Sequence, residues 1–408
     1  MATNSYIRKG VGLLLTLSIA SAGAQTLTWL GTLTYESSFA TDISADGRVV
    51  VGSAFNQNST QRAFRWENGV MTPIAPFGGA GSYAYGVSAD GNVVVGHVIY
   101  ANGQVVAFRW TARDGMQFLG ALGGVSGTAL AASANGSVIV GWAEDLQRQY
   151  LACRWLVGQG AQSLSGLQNT STAMSVSADG SVIVGYTTGA GGSLAAFRWT
   201  ATGVRMLGTF GGRSSSAYRV SADGSIVVGS AEYPNNASHA FRWTEQDGLQ
   251  DIHTLNNSLW SIARDVSDDG NIIVGQYYPI NGNFFRAFRW TPARGLEDLN
   301  IVYANLLSNG SELFQAMAMS DDGRFIVGSG RNGATGRREA FLLDTYVPCR
   351  AHDGDVDENG CVDDADLLAV LFAFGQTGQD LGRVDTNCDA VVDDADLLTV
   401  LFNFGQGC

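Results

Sequence analysis

The residues best suited to chemistry lie near the C-terminus, where an acidic dodecad occurs twice. Residues 355–366 read Asp-Val-Asp-Glu-Asn-Gly-Cys-Val-Asp-Asp-Ala-Asp, and residues 385–396 read Asp-Thr-Asn-Cys-Asp-Ala-Val-Val-Asp-Asp-Ala-Asp. Positions one, three, five and twelve carry side-chain oxygens: Asp355, Asp357, Asn359 and Asp366 in the first copy, Asp385, Asn387, Asp389 and Asp396 in the second. Position eight is apolar in both. Cys361 and Val391 fall at position seven, which contributes a backbone carbonyl, and Asp363 and Asp393 at position nine. Hard oxygens at this spacing wrap a short loop around a calcium ion, so two copies predict two ions. Ala390 stands where glycine ordinarily permits the sharp turn, which predicts a weaker or strained second loop.

Charge supports the same placement. The formal net charge is −13, and the segment from Cys349 onward holds thirteen acids against Arg350 and Arg383, or −11, leaving −2 for the rest. An acidic island of this kind points to divalent cations. Lys9 is the only lysine, so no basic cluster suited to nucleic acid exists.

Each loop needs a helix to hold it. Residues 366–375 and 396–405 are near copies, with Leu367, Val370, Leu371 and Phe374 recurring at helical spacing and Gly375 or Gly405 as the stop. Four of the five cysteines, Cys349, Cys361, Cys388 and Cys408, fall in this tail, and Cys153 stands alone upstream. An even set in an exported small domain predicts two disulfides with three possible connectivities. Pairing Cys349 with Cys408 and Cys361 with Cys388 would tie the ends of the tail together.

Export is read from the other terminus. Arg8 and Lys9 precede an apolar run at 11–20 that is too short to span a bilayer, and Ala22-Gly23-Ala24 forms a cleavage site. Residues 1–24 therefore read as a signal peptide of a secreted, extracellular or surface-attached protein. No later stretch is apolar enough for a membrane span.

Between leader and tail, the chain repeats. Ser-Ala-Asp-Gly or a close relative begins at Ser44, Ser88, Ser133, Ser177, Ser221, Ser267 and Ser320, in steps of 44, 45, 44, 44, 46 and 53 residues. Each repeat holds four short apolar runs bounded by Gly, Asp, Asn or Ser, and the Asp-Gly step makes a tight hairpin between the first two. The expectation is a mainly β chain: a seven-bladed β-propeller of four-stranded antiparallel blades over 25–347, then a small helical calcium-binding domain over 348–408. The seventh repeat lacks a fourth strand, and the orphan ribbon 27–33 is expected to supply it and remove an open edge.

Within this frame the turn aspartates and the recurring Trp66, Trp110, Trp155, Trp199, Trp243 and Trp290 read as scaffold. Arg65, Arg109, Arg154, Arg198, Arg242 and Arg289 precede those tryptophans, and one buried or half-buried arginine-to-turn contact per blade is expected, with turn aspartates such as Asp46 and Asp223 as natural candidates. Ligand binding is expected on the opposite face, where 55–62, 97–104, 143–150, 187–194, 231–238, 277–285 and 330–338 vary. Tyr100, Trp142, Tyr186, Tyr233, Tyr277 and Tyr278 supply aromatic faces there that suit a glycan or surface polymer. Carboxylates such as Asp42, Glu144, Asp145, Glu232, Asp265 and Glu312 show no pair spacing, and His97, His239 and His253 form no metal or nucleophile motif. No catalytic residue is assigned.

The repeats resemble the extracellular HAF-repeat family, whose tripeptide appears in full as His239-Ala240-Phe241 ahead of Arg242-Trp243. The likeness spans about 26–345 and implies an exported repeat protein without an established chemistry. The tail, over about 351–405, resembles a type I dockerin: a calcium loop and one helix, duplicated, with Asp at position twelve. That resemblance implies calcium-dependent docking onto a cohesin-like scaffold or surface protein, often in the service of polysaccharide breakdown. Its recognition pair falls on Asp364-Ala365 and Asp394-Ala395, where clostridial dockerins often carry hydroxyl residues. The identical pairs keep the two-fold symmetry that would let either helix bind. The reading is thus a secreted non-catalytic propeller tethered by its tail, with a dockerin-displayed polysaccharide-degrading enzyme and a structural surface protein as alternatives.

Overall fold

The computed structural model describes residues 25–408 except 35, 56–59, 75–78, 168, 257, 281, 283, 347–351, 358, 378–380 and 390. The expected leader, Cys349 and Ala390 lie outside the described residues. Two compact units are present, Thr26–Thr345 and Tyr346–Cys408.

The first unit is mainly β, in a propeller-like series of four-stranded antiparallel sheets. A representative sheet runs Ser215–Val220, Ile226–Glu232, Ser238–Thr244 and Gly248–Asp251, each strand paired with the next. Its second strand is buried at nearly every position, which is why such strands read as continuous Val and Ile rather than alternating. Glycine recurs in that strand because the backbone of its neighbour comes close. A Cβ at Gly96 would meet the Tyr83 carbonyl and, at 2.9 Å, the Phe108 ring.

Every first strand carries a β-bulge at the same place. The register shifts between Ala40 and Asp42, Ala84 and Gly86, Ala129 and Ala131, Ala173 and Ser175, Ala217 and Arg219, Ala263 and Asp265, and Ala316 and Ala318. A bulge re-aims the side chains beside it, here Asp42, Arg219 and Asp265.

The tight turns are satisfied from within. Ser221 Oγ donates to Asp223 Oδ1 at 2.6 Å and accepts from Ile226 N at 3.0 Å, while Ser225 N donates to the same carboxylate oxygen at 2.9 Å. Neighbouring turns are also stitched together: Ala45 N donates to Ala89 O, Ala89 N to Ala134 O, Ala134 N to Ala178 O and Ala178 N to Ala222 O, at 2.9–3.1 Å. The leading ribbon Thr26–Trp29 pairs antiparallel with Arg338–Asp344, matching Leu27 to Leu343 and Trp29 to Phe341.

Tryptophans 66, 155, 199 and 243 are buried, and Trp155 Nε1 donates to Gly120 O in the preceding repeat at 2.7 Å. These rings are packing, as their recurrence predicts. Two of the arginines before them make the expected contact to a turn, through its carbonyl rather than its aspartate. Arg198 Nη2 donates to the turn carbonyl of Gly224 at 3.1 Å, Arg65 reaches Glu67 Oε2 at 2.7 Å, and Arg289 pairs with Glu297 at 3.1 Å. The turn aspartates accept bonds from serine and amide partners inside their own turns, and the guanidinium groups bind turn carbonyls or side chains on their own or an adjoining strand.

The second unit is a small helical module. Helices Asp364–Ala373 and Asp394–Asn403 each begin in a reciprocal capping box, Asp363 with Asp366 and Asp393 with Asp396. Val362, Val370, Ala373, Val392 and Val400 form its core. Each loop is clasped by the other half: Gly375 N donates to Val392 O and Gly405 N to Val362 O, both at 2.8 Å. The second clasp, completed by Val362 N donating to Gln406 O at 3.0 Å, carries the C-terminus onto the first loop. Cys361 therefore pairs with Cys408, with Cα atoms 4.7 Å apart, which overturns both expected pairs, Cys361 with Cys388 and Cys349 with Cys408. Cys388 is disulfide-bonded as well, and Cys153 is a buried free thiol.

Candidate functional sites

In the first acidic loop the chain gathers three carboxylates. Asp355, Asp357 and Asp366 each offer an oxygen within 4.8 Å of the others, an arrangement able to hold one metal ion. Asp366 is fully buried, and its carboxylate accepts from Val356 N at 2.6 Å, Asp357 N at 3.1 Å and Asp363 N at 2.9 Å. Burial works against its charge, but these amides outweigh it and hold its pKa below the usual carboxylate range. Asp355 differs: its Oδ1 is buried with no hydrogen-bond partner. A buried, unpaired carboxylate oxygen is costly unless a cation completes it, so the residues fit a metal.

The second loop copies the frame. Asp396 is fully buried and accepts from Thr386 N at 2.6 Å and Asp393 N at 2.9 Å, and Asp389 N donates to Asn387 Oδ1 at 2.9 Å. Among the described residues only the first loop brings three acidic ligand atoms together. Asn387 stands where the first loop has Asp357 and Asp389 where it has Asn359, so both loops carry three carboxylates and one amide, with the amide moved from position five to position three.

Asp364, Ala365, Asp394 and Ala395 are exposed on the first turns of the two helices. Beyond them lies a feature that helical spacing obscured. Leu368, Leu371, Phe372 and Phe374 are exposed, as are Leu398, Leu401, Phe402 and Phe404, with Phe372 at 84% and Phe402 at 81%. Of the expected apolar set, Val370 and Val400 are fully buried and Leu367 and Leu397 pack against the same core, while Leu371, Phe374, Leu401 and Phe404 face outward. Two isolated Phe side chains would be ordinary; here the two helices expose equivalent sets of four large apolar residues.

On the first unit the variable segments carry a cavity of about 890 Å³. Residues of 277–286 and 331–338 line it, together with Asp298, Asn300, Ile301, Glu312, Leu313 and Phe314. Phe284 is 63% exposed and stacks on Phe314 at 5.4 Å. Tyr277 also lines the cavity, but it is buried and its hydroxyl donates to Asp298 at 2.8 Å, so it supports the wall rather than offering a platform. Tyr278 packs edge-on against Phe285, Tyr233 stacks on Phe210, Trp142 lies against Tyr150, and Tyr100 lies near Phe118. Tyr186 sits half-buried in the strand Ile183–Thr188. The six aromatics are thus spread over the repeats and do not converge on one site.

Phe284 and Arg338 fall in the expected variable segments 277–285 and 330–338 without being singled out there, and Phe314 lies outside them. The signal for this cavity was the 53-residue step, the longest of the six, which holds the inserted helix Leu299–Val302 and the turn Ala304–Leu307 beside the cavity.

Sequence reasoning missed a charge cluster. Arg219 bonds Asp42 Oδ1 through Nη2 and Asp265 Oδ1 through Nε, each at 2.9 Å. Asp42 Oδ2 in turn accepts from Val87 N at 2.9 Å and Asp265 Oδ2 from Met319 N at 2.8 Å. Five repeats are thereby tied to one guanidinium, which is a structural role. Burial and the neighbouring Asp42 push Asp265 up to about 6 despite the arginine; burial with Asp268 and Asp265 nearby does the same to Asp321. His97 is lowered to about 4 by burial, and Cys153 is raised by burial, so neither presents an activated group.

No family model matches the chain, and no curated protein is similar to it. Among solved structures it is similar to a putative TolB from Agrobacterium tumefaciens, at 12% identity and a TM-score of 0.45, over 80% of this chain and 100% of that one. It is also similar to TolB from Acinetobacter baumannii, at 11% identity and a TM-score of 0.43, over 74% and 83%. Among the described residues no helix is long and apolar enough to cross a membrane.

Proposed function

We propose that this is an exported, non-catalytic binding protein made of a HAF-type seven-bladed β-propeller over 25–347 and a dockerin-like tail over 348–408. The propeller takes a glycan or surface polymer on its variable-loop face, and the tail tethers it to a cohesin-type partner. Ring closure is supported by the pairing of Thr26–Trp29 with Arg338–Asp344, and by a core in which Ala40, Ile43 and Val50 of the first repeat meet Ala318, Val327 and Ala340 of the last.

Calcium suits the tail because its donors are carboxylates, an amide and backbone carbonyls, with no soft ligand in place. One ion would take Asp355, Asp357, Asn359, Asp366 and the Cys361 carbonyl; a second would take Asp385, Asn387, Asp389, Asp396 and the Val391 carbonyl. Bound calcium would fix each loop and thereby the start of each helix. The observation that carries the docking reading is the matched exposure of Leu368, Leu371, Phe372 and Phe374 with Leu398, Leu401, Phe402 and Phe404.

The test uses immobilised full-length protein and extracellular fractions, with calcium or with chelator. A partner should be retained only with calcium, persist through Phe372→Ala or Phe402→Ala alone, and be lost when both are changed. Recovery of the same proteins under chelation would overturn the docking reading.

Hydrolysis of the bound polymer is the second reading, because Asp298 and Glu312 both line the cavity and glycoside cleavage uses two carboxylates. Each already faces an arginine, Arg286 at 2.6 Å and Arg331 at 3.4 Å, which favours binding over turnover.

A further inference from the structure

The charges lining the 890 Å³ cavity do not cancel. Arg286 is matched by Asp298 and Arg331 by Glu312. Arg338 has no carboxylate partner among the described residues. Its Nη2 donates to two neutral oxygens, Gln315 Oε1 at 3.2 Å and Ser329 Oγ at 3.1 Å, and its Nε is buried without any partner. The guanidinium lies 4.3 Å from the centre of the Phe39 ring and 5.6 Å from that of Phe314. Two aromatic faces orient it and offset part of its desolvation, but they supply no counter-charge. Burial accordingly pulls its pKa below the ordinary arginine value.

Such a group is unfinished in the free protein. With Nη2 committed to Gln315 and Ser329 and Nε buried, the guanidinium meets an oxyanion in the cavity through its uncompensated charge and its Nη1 end, held in place by ring stacking. Next to it, the exposed Phe284 ring stacked on Phe314 offers a flat apolar surface of the kind on which a sugar ring can lie. One uncompensated positive charge balances one singly charged group, which favours a carboxylate over a dianionic phosphate monoester.

We infer that the cavity recognises an acidic polysaccharide, with Arg338 binding the carboxylate of a uronate residue and Phe284 stacking on a sugar ring. This rests on the proposed glycan binding and narrows it to one chemical class. Outside the acidic tail the formal charge is only −2, with no broad positive field, so attraction to a polyuronate has to come from a local feature of this kind.

Affinity electrophoresis and titration calorimetry on the full chain decide it, with polygalacturonate and alginate as acidic probes, xylan and a cello-oligosaccharide as neutral ones, and dextran sulfate as a charge control. The acidic polymers should bind and the neutral ones should not. Arg338→Gln should weaken polyuronate binding at least tenfold, and Arg338→Lys, which keeps the charge but loses the Nη1 end, should fall between. Phe284→Ala should weaken it without changing the thermal midpoint, which separates loss of contact from loss of fold. Binding of neutral polymers with indifference to Arg338→Gln would sink the uronate inference while leaving the glycan reading intact. Equal binding of dextran sulfate would replace recognition with plain charge attraction, and no binding of any polymer would overturn both.

Discussion

Aspartates repeat in both units of this protein, and they do opposite things. In the β unit the turn aspartates are finished locally: Asp46, Asp90, Asp179, Asp223, Asp269 and Asp322 each accept from a serine two residues earlier. The third repeat substitutes Asn135, which Ser133 reaches at 3.2 Å, so the turn needs an acceptor and not a charge. In the tail, Asp355 is left with a buried oxygen that nothing in the described chain satisfies. Recurrence alone therefore says little about role. What separates scaffold from site is whether the neighbours complete the hydrogen bonding of the group.

The largest effect that could break this contrast is calcium withdrawal. At calcium a thousandfold above the dissociation constant, binding stabilises the folded form by about 4 kcal/mol. Chelation should therefore shift a tail transition strongly and leave the transition of Thr26–Thr345 in place, as calorimetry of the full chain would read. Movement of both transitions, or of neither, would erase the distinction. A middle-sized effect is expected inside a turn: Ser221→Ala strands the buried Ile226 amide and should cost about 1–3 kcal/mol. Asp223→Asn keeps the acceptor, as Asn135 does naturally, and should stay within about 0.5 kcal/mol in chemical denaturation.

The smallest effect sharpens the contrast by isolating aspartates that are neither turn-locked nor loop-bound. Asp321 is raised to about 6, so its charged form is the unfavourable one in the folded state. Its destabilising contribution is fully present above pH 6 and vanishes as pH falls toward its unfolded value near 3.8. Asp321→Asn should therefore raise the thermal midpoint at pH 8, and the gain over the parent should close between pH 6 and pH 4. A gain that is constant with pH would mean the substitution acts through packing.

Whatever depends on residues close together along the chain was legible before folding was considered. The repeat period, the apolar runs, the Asp-Gly turns and both acidic dodecads are local patterns, and strand, turn and capping box follow from short-range sterics and hydrogen bonds. Local grammar even located the pairing edge for the leading ribbon, because its residues match the missing strand. Which distant groups meet depends on the folded chain. Asp42 and Asp265 stand 223 positions apart in the chain and share Arg219. Cys361 joins Cys408 because two backbone bonds fold the terminus over the first loop, a closure that four cysteines cannot specify. Arg338 looks like any loop arginine until Phe39 and Phe314 are placed against it. Burial and the absence of a partner are properties of assembled surroundings, and these make one polar group inert and its twin a site.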